Sequence, residues 1–174
     1  MELRSMASYF VTICTKNRAH YFGEIVKCEM HLNDIGNIAE QEWIKTLALR
    51  PDMNLELGEF VVMPNHFHGI IIIGENKYNT PTGGSRDAMH CVSTTPTPAT
   101  TPPNQFGPQS KNLASIIGGF KSAVTTHAKK TGNVVFGRQS RFHDHIIRDA
   151  KSFDRIQDYI INNPSCWKGD KFYR

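Results

Sequence analysis

Thirteen consecutive residues, Val61-Val62-Met63-Pro64-Asn65-His66-Phe67-His68-Gly69-Ile70-Ile71-Ile72-Ile73, constrain the fold more than any other stretch. They read as a β-strand, a Pro-Asn break, and a second strand that opens with two histidines flanking one bulky apolar residue. Side chains at i and i+2 of a strand share a face, so His66 and His68 can present two imidazoles to one point. Phe67 then faces the opposite way, into a core. Two imidazoles on a rigid strand are half of a metal site.

The rest of the chain supplies elements to pair with this hairpin. Residues 7–15 are β-branched and aromatic and read as a strand, and Tyr21–Leu32 as a short strand or hairpin turning at Gly23. Asn33 and Asp34 are N-cap residues for a helix to about Leu49, whose Ile35, Ile38, Ala39, Trp43 and Leu47 follow the 3.6 period; Pro51-Asp52 ends it. Ser110 is placed as the cap of a helix carrying Leu113, Ile116, Ile117, Phe120 and Val124, with Lys121 on or beside its polar side and an end near Gly132. A strand at 143–148 follows. A last helix is expected to be capped by Ser152 and stopped at Asn163-Pro164. This order predicts an α+β domain with an antiparallel sheet and helices packed mainly on one face.

Residues 76–109 differ in kind. They hold six of the nine prolines with Thr, Gly and Ser between them, and too few large apolar residues to offset chain entropy. We expect a disordered insertion within a single domain spanning 1–174, with His90 and Cys91 incidental. An apolar fraction of 39% and a charged fraction of 21% belong to a globular chain, and no apolar run approaches the ~20 residues of a membrane helix. No secretory leader is recognisable and the four cysteines are scattered, so a reduced, cytoplasmic protein is expected.

Charge is asymmetric. Residues 1–110 carry 8 Lys+Arg against 11 Asp+Glu, whereas residues 111–174 carry 12 against 5, a net of +7. That suits a phosphodiester backbone, with Lys121, Arg138, Arg141 and Arg148 the leading contacts, although a solvated cationic face has the same signature.

On the last helix Tyr159 and Asn163 stand four apart and share a face, and Ile156 and Ile160 set that stripe against the sheet. Packed beside the histidine strand, Asn163 could offer its side-chain oxygen to a metal held by His66 and His68, with Tyr159 one turn away. Nitrogen and oxygen donors without thiolate suit Mg²⁺ or Mn²⁺, and Mn²⁺ tolerates nitrogen better. The phenolic oxygen could then attack a phosphodiester, giving a 5′-phosphotyrosyl enzyme and a free 3′-hydroxyl.

The runs YFVTICTKNRAHYFGEI, VVMPNHFHGIIII and FHDHIIRDAKSFDRIQDYIINNP, in that order, resemble the REP-associated tyrosine transposases. These are relatives of the single-strand transposases of the His-hydrophobic-His (HUH) class. The resemblance covers nearly the whole chain outside 76–109. It implies a ferredoxin-like HUH fold and metal-dependent cleavage and rejoining of single-stranded DNA at hairpin-type sites. It also implies Tyr159 as nucleophile and His66, His68 and Asn163 as ligands. Against the family pattern, only six residues precede the first strand, which leaves a truncated start open, and the proline-threonine insertion is long.

Competing readings stay open at this stage. A lone HxH is most often structural, and His143-Asp144-His145 is a second one. Tyr173 is a weaker nucleophile candidate. Phe142, Trp167 and Phe172 could stack on bases but suit packing better. A domesticated hairpin-binding protein that no longer cuts is the main functional alternative, ahead of a hydrolase in which water attacks. A homodimer, and Tyr159 serving its own chain or a partner's, are both left undecided.

Overall fold

The computed structural model describes residues 7–79, 111–132 and 135–173. Disorder was expected from residue 76, but Asn76, Tyr78 and Asn79 form a hydrogen-bonded turn; the rest of the expected insertion, with His90 and Cys91, lies outside the described residues. Six strands and three α-helices follow in order: β1 (Ala7–Cys14), β2 (Gly23–Val26), β3 (Glu29–Leu32), α1 (Asp34–Leu49), β4 (Leu55–Met63), β5 (His66–Ile73), α2 (Leu113–Lys130), β6 (His143–Ile147) and α3 (Ala150–Asn162). Strands β4-β5-β1-β6 form one antiparallel sheet, and β2 with β3 a separate hairpin. This is the expected α+β, ferredoxin-like arrangement. No helix among the described residues is long and apolar enough to cross a membrane.

Strand β5 is buried along its whole length, which explains its unbroken isoleucine run: both faces are covered. Its odd positions, Phe67, Ile71 and Ile73, join Val11 and Ile13 of β1 beneath α1 and α2. At the centre of that layer the fully buried Trp43 lies 4.7 Å from the Phe67 ring and 5.3 Å from Phe120. The even positions Ile70 and Ile72 pack with Phe10, Ile147, Ile156 and Ile160 under α3. Two helices thus cover one face, and α3 with the segment that follows it covers the face that bears His66 and His68.

Local chemistry sets the element ends. Asn33 caps α1 as expected, its side-chain oxygen accepting from Ile35 N and Gly36 N at 3.0 Å each. The other two caps differ from expectation. Asn112, not Ser110, caps α2, in a reciprocal box with Ser115, and Ser110 lies outside the described residues. Asp149, not Ser152, caps α3, because the carboxylate precedes the first turn and receives Ser152 N at 2.8 Å. The β2–β3 turn falls at Lys27 and Cys28, both with positive φ (50° and 68°), rather than at Gly23. Gly23 instead opens β2, where a Cβ would lie 2.0 Å from the His31 carbonyl oxygen.

Gly36 is a sharper constraint. A Cβ there would lie 2.2 Å from the Phe22 carbonyl oxygen, a backbone atom that accepts from Asn33 N and cannot swing aside. Gly36→Ala is therefore expected to destabilise the domain by about 3 kcal/mol despite alanine's better helix propensity. A urea midpoint equal to the parent's would contradict this account of how α1 seats against the β2–β3 hairpin.

Candidate active site

Strand β5 begins immediately after the Pro64-Asn65 turn, so its first residue is already locked in the sheet. His66 pairs with Cys14 and His68 with Thr12 across β1, and both imidazoles are fully buried. Their rings stand 4.5 Å apart. Asn65 Nδ2 donates to the Phe172 carbonyl at 2.9 Å, which orients the amide; its Oδ1 faces His66 Nδ1 at 2.9 Å. An amide oxygen can only accept, so Nδ1 of His66 carries the proton and Nε2 presents a bare lone pair. That Nε2 is buried and has no partner. His68 Nδ1 lies 2.8 Å from Thr12 Oγ1, and its Nε2 is 3.3 Å from the Tyr159 hydroxyl.

Helix α3 delivers Tyr159 to this spot, its ring edge-on to His68 at 5.4 Å and to Phe10 at 6.2 Å. Tyr159 is 40% exposed, so it stands at the rim of the site rather than within the core. The chain then turns through a 3-10 segment, Trp167–Gly169, and folds back over the histidines. This return carries Asp170, whose Oδ2 accepts from Tyr159 Oη and from Asn163 Nδ2, both at 3.1 Å. Its Oδ1 accepts from Phe172 N at 2.6 Å. Phe172 lies 4.6 Å from the His66 ring, and Arg18 both stacks on Phe172 and donates to the Lys171 carbonyl.

Donor atoms from His66, His68 and Asp170 all lie within 4.8 Å of one another. Two further observations suit a divalent cation here. The His66 Nε2 lone pair and the Asn163 side-chain oxygen are both buried without partners, although such atoms nearly always have one. Burial also keeps the imidazoles in the neutral, ligating form. It pulls His66 down to about 4, with Asp170 opposing, and pulls His68 well below its usual value, reinforced by His66. Tyr159 moves the other way. Burial, then the Asp170 charge, push it up to about 12, so at neutral pH it is a phenol that needs nearby positive charge to ionise.

The four candidate DNA contacts separate. Arg141 and Arg148 are exposed. Arg138 donates through Nε to Lys121 O and Thr125 Oγ1. Lys121 is not on a polar face: it is 3% exposed, and its ammonium donates to the Ser140 and Arg141 carbonyls at 2.8 and 3.2 Å. Burial lowers it to about 8. In this conformation Lys121 anchors the approach to β6 and offers nothing to a phosphate. His143 and His145 lie exposed on the edge strand β6, and no third donor gathers around them among the described residues. They pair with Thr12 and Phe10 and so share the sheet face of His66 and His68. Trp167 and Phe172 are buried, as packing would have them. Beside the site a cleft of about 770 Å³ is lined by His20, Lys27, Trp167, Lys168 and Tyr173, among others. Cys14, Cys28 and Cys166 are free thiols.

Asp170, Asn65 and Thr12 were not singled out as site residues from sequence, and Phe172 was named there only as a packing or base-stacking ring. A threonine amid the apolar run of β1 was a usable signal for Thr12. Asp170 had none, because it follows Pro164 at no helical or strand spacing from the other groups.

The fold defined by this sheet, its two helix layers and its histidine face is that of a REP-associated tyrosine transposase. A solved structure of such a protein, bound to a REP hairpin, superposes with a TM-score of 0.54 over 95% of this chain and 70% of the other, at 19% identity. The chain belongs to one family with a protein of Haemophilus influenzae (strain Rd) for which no activity is described. The two are 38% identical over 173 residues, 98% of this chain and 87% of that protein. A Deinococcus radiodurans structure provisionally assigned as a transposase aligns over 90% of each chain at 15% identity, with a TM-score of only 0.42. No family model matches the chain.

Proposed function

We propose that this protein is a DNA strand transferase that cleaves and rejoins single-stranded DNA at hairpin-type sites, with Tyr159 as nucleophile. One observation carries the reading: an exposed-side phenol stands 3.3 Å from one of two buried, neutral imidazoles, the other of which has an orphaned lone pair. His66 and His68 would hold a divalent ion, Mg²⁺ or Mn²⁺, with Asn163 beside them. Asn65 and Thr12 fix the two rings. When bound, such an ion supplies positive charge to the non-bridging phosphate oxygens and to the incoming phenolate.

In the step assigned to the chain, Tyr159 Oη forms a bond to phosphorus as the P–O3′ bond breaks. The phenolic proton leaves to solvent, and the departing 3′-oxygen takes one up. The product is a 5′-phosphotyrosyl ester, and attack by a 3′-hydroxyl reverses the reaction. Because Tyr159 faces the histidines of its own chain, no second copy is needed to complete the site. Exposed Arg141 and Arg148, with His143 and His145 on the same sheet face as the metal-type pair, are the groups we place along the incoming strand. The hairpin preference is carried over from the fold relative, which was solved with one.

The test is direct. Purified protein is incubated with single-stranded oligonucleotides carrying an imperfect hairpin, with Mn²⁺ or Mg²⁺, and the products are analysed by mass spectrometry. A DNA adduct on the Tyr159 peptide is expected. Hairpin binding without any adduct would favour the non-cleaving alternative, and cleavage without an adduct would point to water as nucleophile.

A further inference from the structure

We propose that Asp170 is the charged ligand of the metal site, completing a face of two imidazoles and one carboxylate. This rests on the metal-dependent reading above and says which side chain supplies the anion. The ligand set implied by the chain's motifs ends with Asn163, yet the amide as placed turns its Nδ2, a donor, toward Asp170 Oδ2. A reversed amide would set its oxygen against the carboxylate. Asn163 is therefore held in place by Asp170, and its buried oxygen is at most a neutral addition. Asp170 Oδ2, His66 Nε2 and His68 Nε2 are the atoms a cation would draw together.

The hydrogen bonding around these groups supports the assignment. His66 Nδ1 donates to Asn65 Oδ1, Asn65 Nδ2 donates to the Phe172 carbonyl, and Phe172 N donates to Asp170 Oδ1. One continuous path of side-chain and backbone bonds thus fixes an imidazole and the carboxylate relative to each other. It uses the outward atom of each group; the inward Nε2 of His66 has no partner, and the inward Oδ2 of Asp170 accepts from Tyr159 Oη and Asn163 Nδ2 while keeping a lone pair for a cation. Outer partners that orient ligands in this way are the usual companions of a metal site. The path also gives the segment after α3 a purpose, since its fold over the histidines brings the anion.

The chemistry of the set narrows the ion. A carboxylate leaves the site with one negative charge, where an amide would leave none. Two nitrogen donors favour Mn²⁺ or Fe²⁺ over Mg²⁺, which prefers oxygen throughout. Three protein donors leave further coordination positions for the oxygens of a phosphodiester.

Mn²⁺ binding can be read without DNA and without turnover, by electron paramagnetic resonance of free Mn²⁺ during titration of the full chain. Asp170→Asn keeps the acceptor for Phe172 N and is expected to weaken Mn²⁺ binding at least tenfold, and more than Asn163→Ala does. His66→Ala should abolish binding, and the parent should prefer Mn²⁺ to Mg²⁺. Asp170→Asn binding Mn²⁺ within twofold of the parent, while His66→Ala does not bind, would overturn the Asp170 assignment and leave the metal reading standing. No Mn²⁺ binding by the parent would sink both. Circular dichroism checks each variant, and Asp170→Ser decides the same question should the asparagine variant be misfolded.

Discussion

Tyr159→Phe is expected to give no covalent DNA adduct and to slow hairpin cleavage by at least roughly 10⁴-fold, the scale on which removing a nucleophile acts. The substitution deletes one oxygen and little else. The ring keeps its edge contacts with His68 and Phe10, so α3 remains seated. The lost hydrogen bond to Asp170 is partly solvent-exposed and should alter stability by about 1 kcal/mol or less. Hairpin affinity should stay within twofold of the parent. Loss of catalysis with binding and stability intact is the signature of a reacting group rather than a structural one. An undiminished adduct in this variant would reassign the nucleophile, with Tyr173 in the neighbouring cleft the next candidate.

The second large effect is on acid stability. His66 is pulled from 6.5 to about 4 by burial, with Arg18 and Lys171 reinforcing and Asp170 opposing; His68 shifts in the same direction. In the unfolded chain both imidazoles take up protons near their ordinary value, while in the folded metal-free protein they resist. The unfolded state therefore binds more protons below about pH 6.5, and stability must fall as pH falls through the window down to about 4. For His66 alone the loss is roughly 3 kcal/mol by pH 4, and the second imidazole adds to it. That is a large part of the 5–15 kcal/mol typical of a domain. Urea midpoints measured from pH 7.5 to 4.5 should decline steeply below pH 6.5, and saturating Mn²⁺ should shift the decline to lower pH. A flat profile would mean that the imidazoles are hydrated and the pocket is open.

Sequence patterns with a rigid period were the legible part. The two-residue repeat of a strand placed His66 and His68 together and Phe67 opposite, and the sheet keeps that register. The helical repeat likewise put Tyr159 and Asn163 on one face, toward the histidines. It also held information that the polarity of lysine obscured. Lys121 is four residues from Ile117 and three from Val124, so spacing alone set it in the buried stripe, where its ammonium finds two carbonyls. The caps fell at Asn112 and Asp149 rather than at the expected serines because each stretch offers two capping residues within one turn, Ser110 with Asn112 and Asp149 with Ser152. Asp170 was not legible at all. Its place depends on a turn fixed by backbone carbonyls and by Asn65, contacts that no spacing along the chain encodes.

At the far end of β5, Lys111 bonds to both Asp52 and Tyr78, so the chain departs after Asn79 and is caught again at Lys111 within one small cluster. Seven strand steps separate His66 from Ile73, roughly 23 Å at the usual rise, which puts this junction well away from the histidines. The domain therefore comes with a ready-made graft point. A reporter or affinity module spliced between these two anchors is expected to hang from the scaffold away from the proposed DNA site.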